Sequence, residues 1–230
     1  MNAILLAPAL DNRTPLPELI YRQLRMNILD GTLAPGAVLR QEEVAKLFNV
    51  SRVPVREAMG RLETDGLVVL RPRRGYAVAE LRQDEIVEIF ELRMVIEEHA
   101  AMISARARTE DDIEAVEEMI LRMEDLAAHS SDYSAEWAHL NRDFHSRLVA
   151  ASRRKRLTGI ADNLRDTVEA YVRMEMRMTG GVKQALKEHR ELFEAFKAGD
   201  ATGLALLSRR HVEATARRLL DGLRQRGSQC

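Results

Sequence analysis

Wound as a helix at about 100° per residue, residues 52–65 bring Val55, Ala58, Met59 and Leu62 into one arc of about 100°, and that side must be buried. Arg52 and Arg56 sit together beside the arc, Val53 and Gly60 extend their side, and Arg61 lies about 180° from Arg52. The segments around this helix supply a small head for it to dock on. Upstream, Leu16, Leu19, Ile20, Leu24 and Ile28 mark an amphipathic helix that Asp30-Gly31 should close, and residues 42–48 offer Val44, Leu47 and Phe48 from a second, short helix. Asn49-Val50 then turns the chain, and Ser51 is placed to cap the next helix. Downstream, Gly66 ends it. Strand-like sequence at 33–39 and 67–79 includes two runs, Leu67-Val68-Val69-Leu70 and Tyr76-Ala77-Val78, flanking the basic tip Arg71-Pro72-Arg73-Arg74-Gly75 as a two-stranded wing would.

Helix, helix, turn, helix, hairpin is the winged helix-turn-helix order. In that arrangement the N-terminal residues of the second helix of the motif approach base edges in the major groove, where arginine can bind guanine bidentately. Arg52 and Arg56 hold that end; the alternative is a solvated helix face. The wing arginines are placed for phosphate or the minor groove, or serve only as solubilising charge. The string Ser51-Arg52-Val53-Pro54-Val55-Arg56-Glu57-Ala58, followed by Arg61-Leu62 and Asp65-Gly66-Leu67, resembles the recognition helix of GntR-type bacterial transcription regulators, and Leu33-Ala34-Pro35-Gly36 fits the same pattern. The resemblance implies a DNA-binding surface of Arg40, Ser51, Arg52, Val53, Arg56, Arg73, Arg74 and Gly75, the glycine allowing a close approach of the wing.

Residues 1–80 carry eleven Lys/Arg against nine Asp/Glu and the remainder 24 against 27, so a slightly basic front half precedes an acidic back half. We place the domain boundary there: 1–80 as the winged helix-turn-helix, with 1–12 a loose arm, and 81–230 as an effector-binding and dimerisation domain. The apolar stretch near the start is short and contains Pro8, which makes it a poor signal peptide. The single cysteine, Cys230, excludes an internal disulfide and a thiolate zinc cluster. A cytoplasmic protein is expected.

Aromatic residues are scarce at 4 %, which favours helices over a large sheet. Six are expected after residue 82, near 83–107, 110–128, 132–151, 154–178, 182–198 and 201–225, with Ser130-Ser131-Asp132 opening the third, Gly180-Gly181 separating the fourth from the fifth and Asp200 capping the last. The fold class is therefore mainly α: a winged helix-turn-helix followed by an antiparallel bundle of six helices. Polar residues on apolar faces are the informative feature. Asn141 and His145 share an arc with Trp137, Phe144 and Leu148; His189 is centred among Ala185, Leu192, Phe193 and Phe196; His211 lies with Leu204 and Leu207. His99 and His139 point outward and His129 is near a helix end. Burying imidazoles without partners costs about 1 to 3 kcal/mol each, and a shared divalent cation such as zinc, nickel or manganese removes that cost. Met174, Met176 and Met178 are spread around their helix and read as core filler.

Asn141-Arg142-Asp143-Phe144-His145, Glu188-His189-Arg190 with Ala198-Gly199-Asp200, and Arg210-His211 resemble the FCD effector domain of the FadR-like branch. That resemblance implies a metal held by Asn141, His145, His189 and His211; asparagine stands where an aspartate is frequent, a weaker and neutral ligand. Six helices would suggest the VanR-type subgroup. Arg93 and Glu97, at i and i+4, also fall on an inward arc. They form either a structural ion pair or an effector site in which Arg93 binds a carboxylate and Glu97 orients it. The expected protein is a homodimeric transcription regulator, a repressor on an inverted-repeat operator in double-stranded DNA, modulated by a small organic acid, with no membrane association. The alternatives are a metal-dependent enzyme using the three histidines and a purely structural dimerisation bundle.

Overall fold

The computed structural model describes residues 14–72, 74–129, 135–179 and 182–227. The chain divides between Leu81 and Arg82 into two compact units. The first contains α1 (Leu16–Leu29), β1 (Val38–Leu39), α2 (Gln41–Phe48), α3 (Arg52–Thr64), β2 (Val68–Arg71) and β3 (Gly75–Val78). Its core closes over Ile20, Leu24 and Ile28 of α1, Val44 and Phe48 of α2, and Val55, Ala58, Met59 and Leu62 of α3. The four α3 residues have no exposed surface, which is the arc the sequence marks as buried.

Three glycine or asparagine positions make the turns. Gly31 (φ 74°) follows α1, Asn49 (φ 53°) separates α2 from α3, and Gly66 (φ 75°) follows α3, each in the left-handed region that residues with a bulky Cβ avoid. Ser51 stands at the N-cap of α3 with extended backbone, yet its side chain makes no capping bond, contrary to expectation. Pro54 occupies the third helical position and has no N–H to offer, which removes one of the two amides that such a cap can use. The wing also differs from the two-stranded hairpin expected. β1 pairs antiparallel with β3 through Val38–Ala77 and Leu39–Tyr76, giving a three-stranded sheet of order β1-β3-β2.

The second unit is built from α4 (Gln83–Ala107), α5 (Glu110–His129), α6 (Ala135–Ala150), α7 (Lys155–Thr179), α8 (Val182–Ala198) and α9 (Ala201–Gly227), six helices among the described residues. α4 packs on α9 and α7, α5 on α6 and α8, and α8 on α9. Their ends are fixed by local chemistry. The Arg82 amide donates to Glu85 at 2.7 Å, the Thr109 amide to Asp112 at 2.9 Å and the Gly203 amide to Asp200 at 2.8 Å. Arg153 then ties the start of α5 to the turn after α6, its Nη1 and Nη2 reaching Asp112 at 2.9 and 2.7 Å. The predicted opening of the third helix at 130–132, the Gly180-Gly181 break and the arm at 1–12 lie outside the described residues. No helix among the described residues is long and apolar enough to cross a membrane.

Candidate nucleic-acid interface and candidate metal centre

Burial of the apolar arc of α3 leaves Arg52, Val53 and Arg56 exposed on its other side. Arg40, Arg52, Arg74 and Gly75 come together around one open groove, while Ser51 and Arg52 border a second with Lys46 and Asn49. Arg73 lies outside the described residues. The groove is basic but not free of acid: Arg52 Nη1 is 3.0 Å from Glu42 and Arg40 Nη1 is 3.2 Å from Glu43. Both pairs are well exposed and therefore weak, so a phosphate can displace the carboxylates at little cost. Arg61 is engaged elsewhere. Its guanidinium pairs with Glu18 and lies 4.0 Å over the Tyr21 ring, and Tyr21 in turn donates to Asp65 at 2.6 Å.

Gly75 has a structural reason to be glycine. Its φ is 87°, and a Cβ there would stand 2.9 Å from the carbonyl oxygen of Leu39.

In the second unit, α6, α8 and α9 each contribute one buried histidine to a single cluster. The ring centroids of His145 and His189 are 4.9 Å apart, those of His145 and His211 4.9 Å, and those of His189 and His211 5.1 Å. One ring nitrogen from each lies within 4.8 Å of the others. His189 is fully buried against Phe144 and Trp137, and neither of its nitrogens has a hydrogen-bond partner. Burial, reinforced by the neighbouring imidazoles, pushes His145 and His189 well below the usual histidine range. The rings are therefore neutral and offer lone pairs. His211 is oriented differently, with Nδ1 2.6 Å from Glu188 Oε2. That carboxylate accepts the Nδ1 proton and leaves Nε2 as the free donor atom. Asn141, one turn before His145 on α6, lines the same cavity. The donor set is thus neutral nitrogen and amide oxygen with two orphaned buried nitrogens, and it fits a divalent cation of borderline character.

Models of two families match the chain: the gntR family of bacterial regulatory proteins over residues 16–78 and the FCD domain over residues 88–214. The chain belongs to the GntR family. Among curated relatives, the uncharacterized HTH-type regulator YdhC of Bacillus subtilis (strain 168) is 32 % identical over 190 residues, covering 82 % of this chain and 84 % of its own. The HTH-type transcriptional repressor RspR of Escherichia coli (strain K12) is 28 % identical over 199 residues, 86 % of each chain. Among solved structures, E. coli McbR/YncC superposes with a TM-score of 0.81 at 20 % identity, over 91 % of this chain and 99 % of that one, a likeness of fold. This GntR-family protein is therefore a DNA-binding transcription regulator with an FCD domain, and not an enzyme.

Next to the histidines of this regulator runs a buried ionic network only partly visible in the sequence. Arg93 Nε donates to Glu97 at 2.8 Å, as the i,i+4 spacing predicts. The other Glu97 oxygen is 3.0 Å from Arg165 of α7, which also reaches Asp162 at 3.1 Å. Burial alone would raise the Glu97 carboxyl; Arg165 and Arg93 outweigh it and hold the group at about 2. The cavity is walled by Arg93, Asn141, His145, Glu169, His211 and Arg218 among others. Glu97 lies outside that wall. Sequence reasoning missed Arg165, Glu169 and Arg218. The signal was present for the first two, because Arg165 and Glu169 are four apart in line with the buried Val168 and Val172. Glu169 is 4 % exposed and accepts no hydrogen bond from any described residue; burial, with Asp166 adding to it, pushes its carboxyl up to about 7. Met176 is buried on the same helix and lines the cavity, while the side chains of Met174 and Met178 lie outside those described.

Proposed function

We propose that this regulator is a homodimeric repressor whose affinity for an inverted-repeat operator is changed by a small organic acid bound in a metal-containing cavity of the second unit. The observation that carries the reading is His189: a fully buried imidazole with both nitrogens unpartnered, within reach of His145 and His211. Left empty, that arrangement costs about 1 to 3 kcal/mol; a cation offsets it. His145, His189, His211 and Asn141 would hold a zinc, nickel or manganese ion, which when bound supplies a positive anchor for a carboxylate oxygen. Arg93, kept in place by Glu97, adds a bidentate partner for the same acid.

On the DNA side, Arg52, Val53 and Arg56 read the major groove, Arg40 and Ser51 contact its edge, and Arg73, Arg74 and Gly75 bring the wing to the backbone or the minor groove. Two copies related by a two-fold axis match an inverted repeat. RspR, similar along most of this chain, is named a repressor, which favours repression as the sign. Residues 78–82 are the covalent route between the units. For the acid to act through them, its affinity must differ between two arrangements of the protein.

The test has two arms. Elemental analysis after gentle purification should find about one divalent ion per subunit, lost in a His145→Ala/His189→Ala double variant; no bound ion, even after metal addition, removes the cation. Operators selected from genomic fragments should be bound over random competitor at moderate salt and released by small carboxylates, and failure to prefer any duplex removes the regulatory reading.

A further inference from the structure

The polar groups on the cavity wall are unequally satisfied. Arg93 is already held by Glu97 and Arg218 by Glu188 at 3.3 Å, while Arg165 is ion-paired with Glu97 and Asp162 although its buried Nε makes no hydrogen bond. Glu169 is different. It is buried, it faces the cavity, and no described residue donates to it or pairs with it within 4.0 Å. The charges that influence it are Asp166 and Arg173 from its own helix, with Arg93 and Arg142 from others. It does not belong to the metal cluster either, because the group of mutually close ligand atoms comprises the three histidines alone. Glu169 is therefore the open acceptor on this wall.

An acid carrying only methylene groups beyond its carboxylate would bury Glu169 against hydrocarbon, and a second carboxylate would set two anions together; both are costly. A hydroxyl or ammonium group would supply the missing hydrogen. Resting on the reading above that the cavity takes a small acid, we infer that the effector carries a hydrogen-bond donor, a hydroxyl or an ammonium group, positioned by Glu169. Arg93 and the metal then hold the acid end, and Glu169 selects what is attached to it. The rejection arises because binding the unsubstituted acid would leave a buried acceptor unpaired, a form of discrimination that a purely apolar pocket cannot provide.

The experiment uses the full-length, metal-replenished protein and matched acids: propionate against lactate, 3-hydroxypropionate and β-alanine, and succinate against malate and aspartate. Calorimetry and thermal shift read binding. At least one hydroxy or amino acid should bind about tenfold or more tightly than its unsubstituted parent, and Glu169→Leu should abolish that difference. Glu169→Gln, which keeps an acceptor, should retain the preference for a hydroxyl and weaken that for an ammonium, and it guards against a leucine variant that fails to fold. Parents binding as tightly as their derivatives overturn the inference and leave the acid sensor standing, as would be seen if a protonated Glu169 donated to a second carboxylate. A preference that survives in Glu169→Leu also overturns it. If no acid of either set binds, the sensor reading falls as well.

Discussion

Glu188 Oε2 stands 2.6 Å from His211 Nδ1, and its other oxygen is 3.3 Å from Arg218 and 2.9 Å from Gln184. Burial would raise the Glu188 carboxyl; the hydrogen bonds of His211 and Gln184, with the charge of Arg218, instead bring it to about 2. A carboxylate held in this way fixes the imidazole orientation and its tautomer. Glu188→Gln should therefore weaken divalent-metal affinity by about 10- to 100-fold without unfolding the bundle. Competition against a chromophoric chelator measures it, and unchanged affinity would falsify the orienting role.

Arg52 and Arg56, side by side on the exposed face of α3, give a second prediction. Arg52→Ala or Arg56→Ala should weaken binding to a selected operator by about 1 to 3 kcal/mol. The mass in solution should stay unchanged, because both side chains project away from the core of the first unit. Arg61→Ala provides the contrast. It removes the Glu18 pair and the contact over Tyr21, so its effect should appear in the melting of the first unit more than in sequence preference. Fluorescence anisotropy with operator and scrambled duplexes separates these cases. Equal affinity of wild type and both groove variants ends the readout assignment.

Gly75→Ala should destabilise the first unit by about 1 to 3 kcal/mol. The cost has two parts, a φ of 87° and a methyl 2.9 Å from the Leu39 oxygen. Here the obstacle is backbone, which cannot swing aside as a side chain would. Gly60→Ala, where nothing lies within 4 Å of an added methyl, should be neutral or slightly stabilising. Thermal denaturation of both variants tests the contrast, and equal melting temperatures would show that the position tolerates a side chain.

The Arg153–Asp112 link yields a pH dependence. Burial of Asp112 would raise its carboxyl, but Arg153 and the amide and hydroxyl of Thr109 lower it below the usual carboxylate range. A carboxyl depressed by folding contributes stability above its unfolded pKa, and that contribution is lost as pH falls through the folded value. Asp112→Asn should cost about 0.5 to 1 kcal/mol at neutral pH, a modest figure because Arg153 is half exposed. The gap to wild type should close as pH drops below about 4. Urea denaturation across a pH series checks this, and a gap that persists in acid contradicts it.

Much of the fold was legible because each helix carries its own boundary chemistry. Asp200 caps α9 through the Gly203 amide, Gly66 follows α3 with positive φ, and the inward arcs of α3, α6, α8 and α9 are the faces found buried. β1 falls within the strand-like stretch 33–39, but its place in the sheet was not legible because two residues carry no alternation and its partners, Ala77 and Tyr76, are far away in sequence. Ser51 misled because Pro54 takes away one of the two amides that a capping serine can use, and the other is not bonded by it. The histidine cluster was legible since each ring is misplaced on its own helix. Arg165 and Arg218 were harder: an inward arginine makes sense only with its carboxylate, and Glu97 and Glu188 lie on other helices.

β1 stops at Leu39, one residue before Arg40, and β3, to which it is bonded, also carries β2 and the tip of the wing. A pull on the tip is therefore delivered by backbone hydrogen bonds to the threshold of α2. Tip and threshold share a single lever, so DNA that engaged one would set the angle of the other, and a sequence unable to accommodate both would gain little from either.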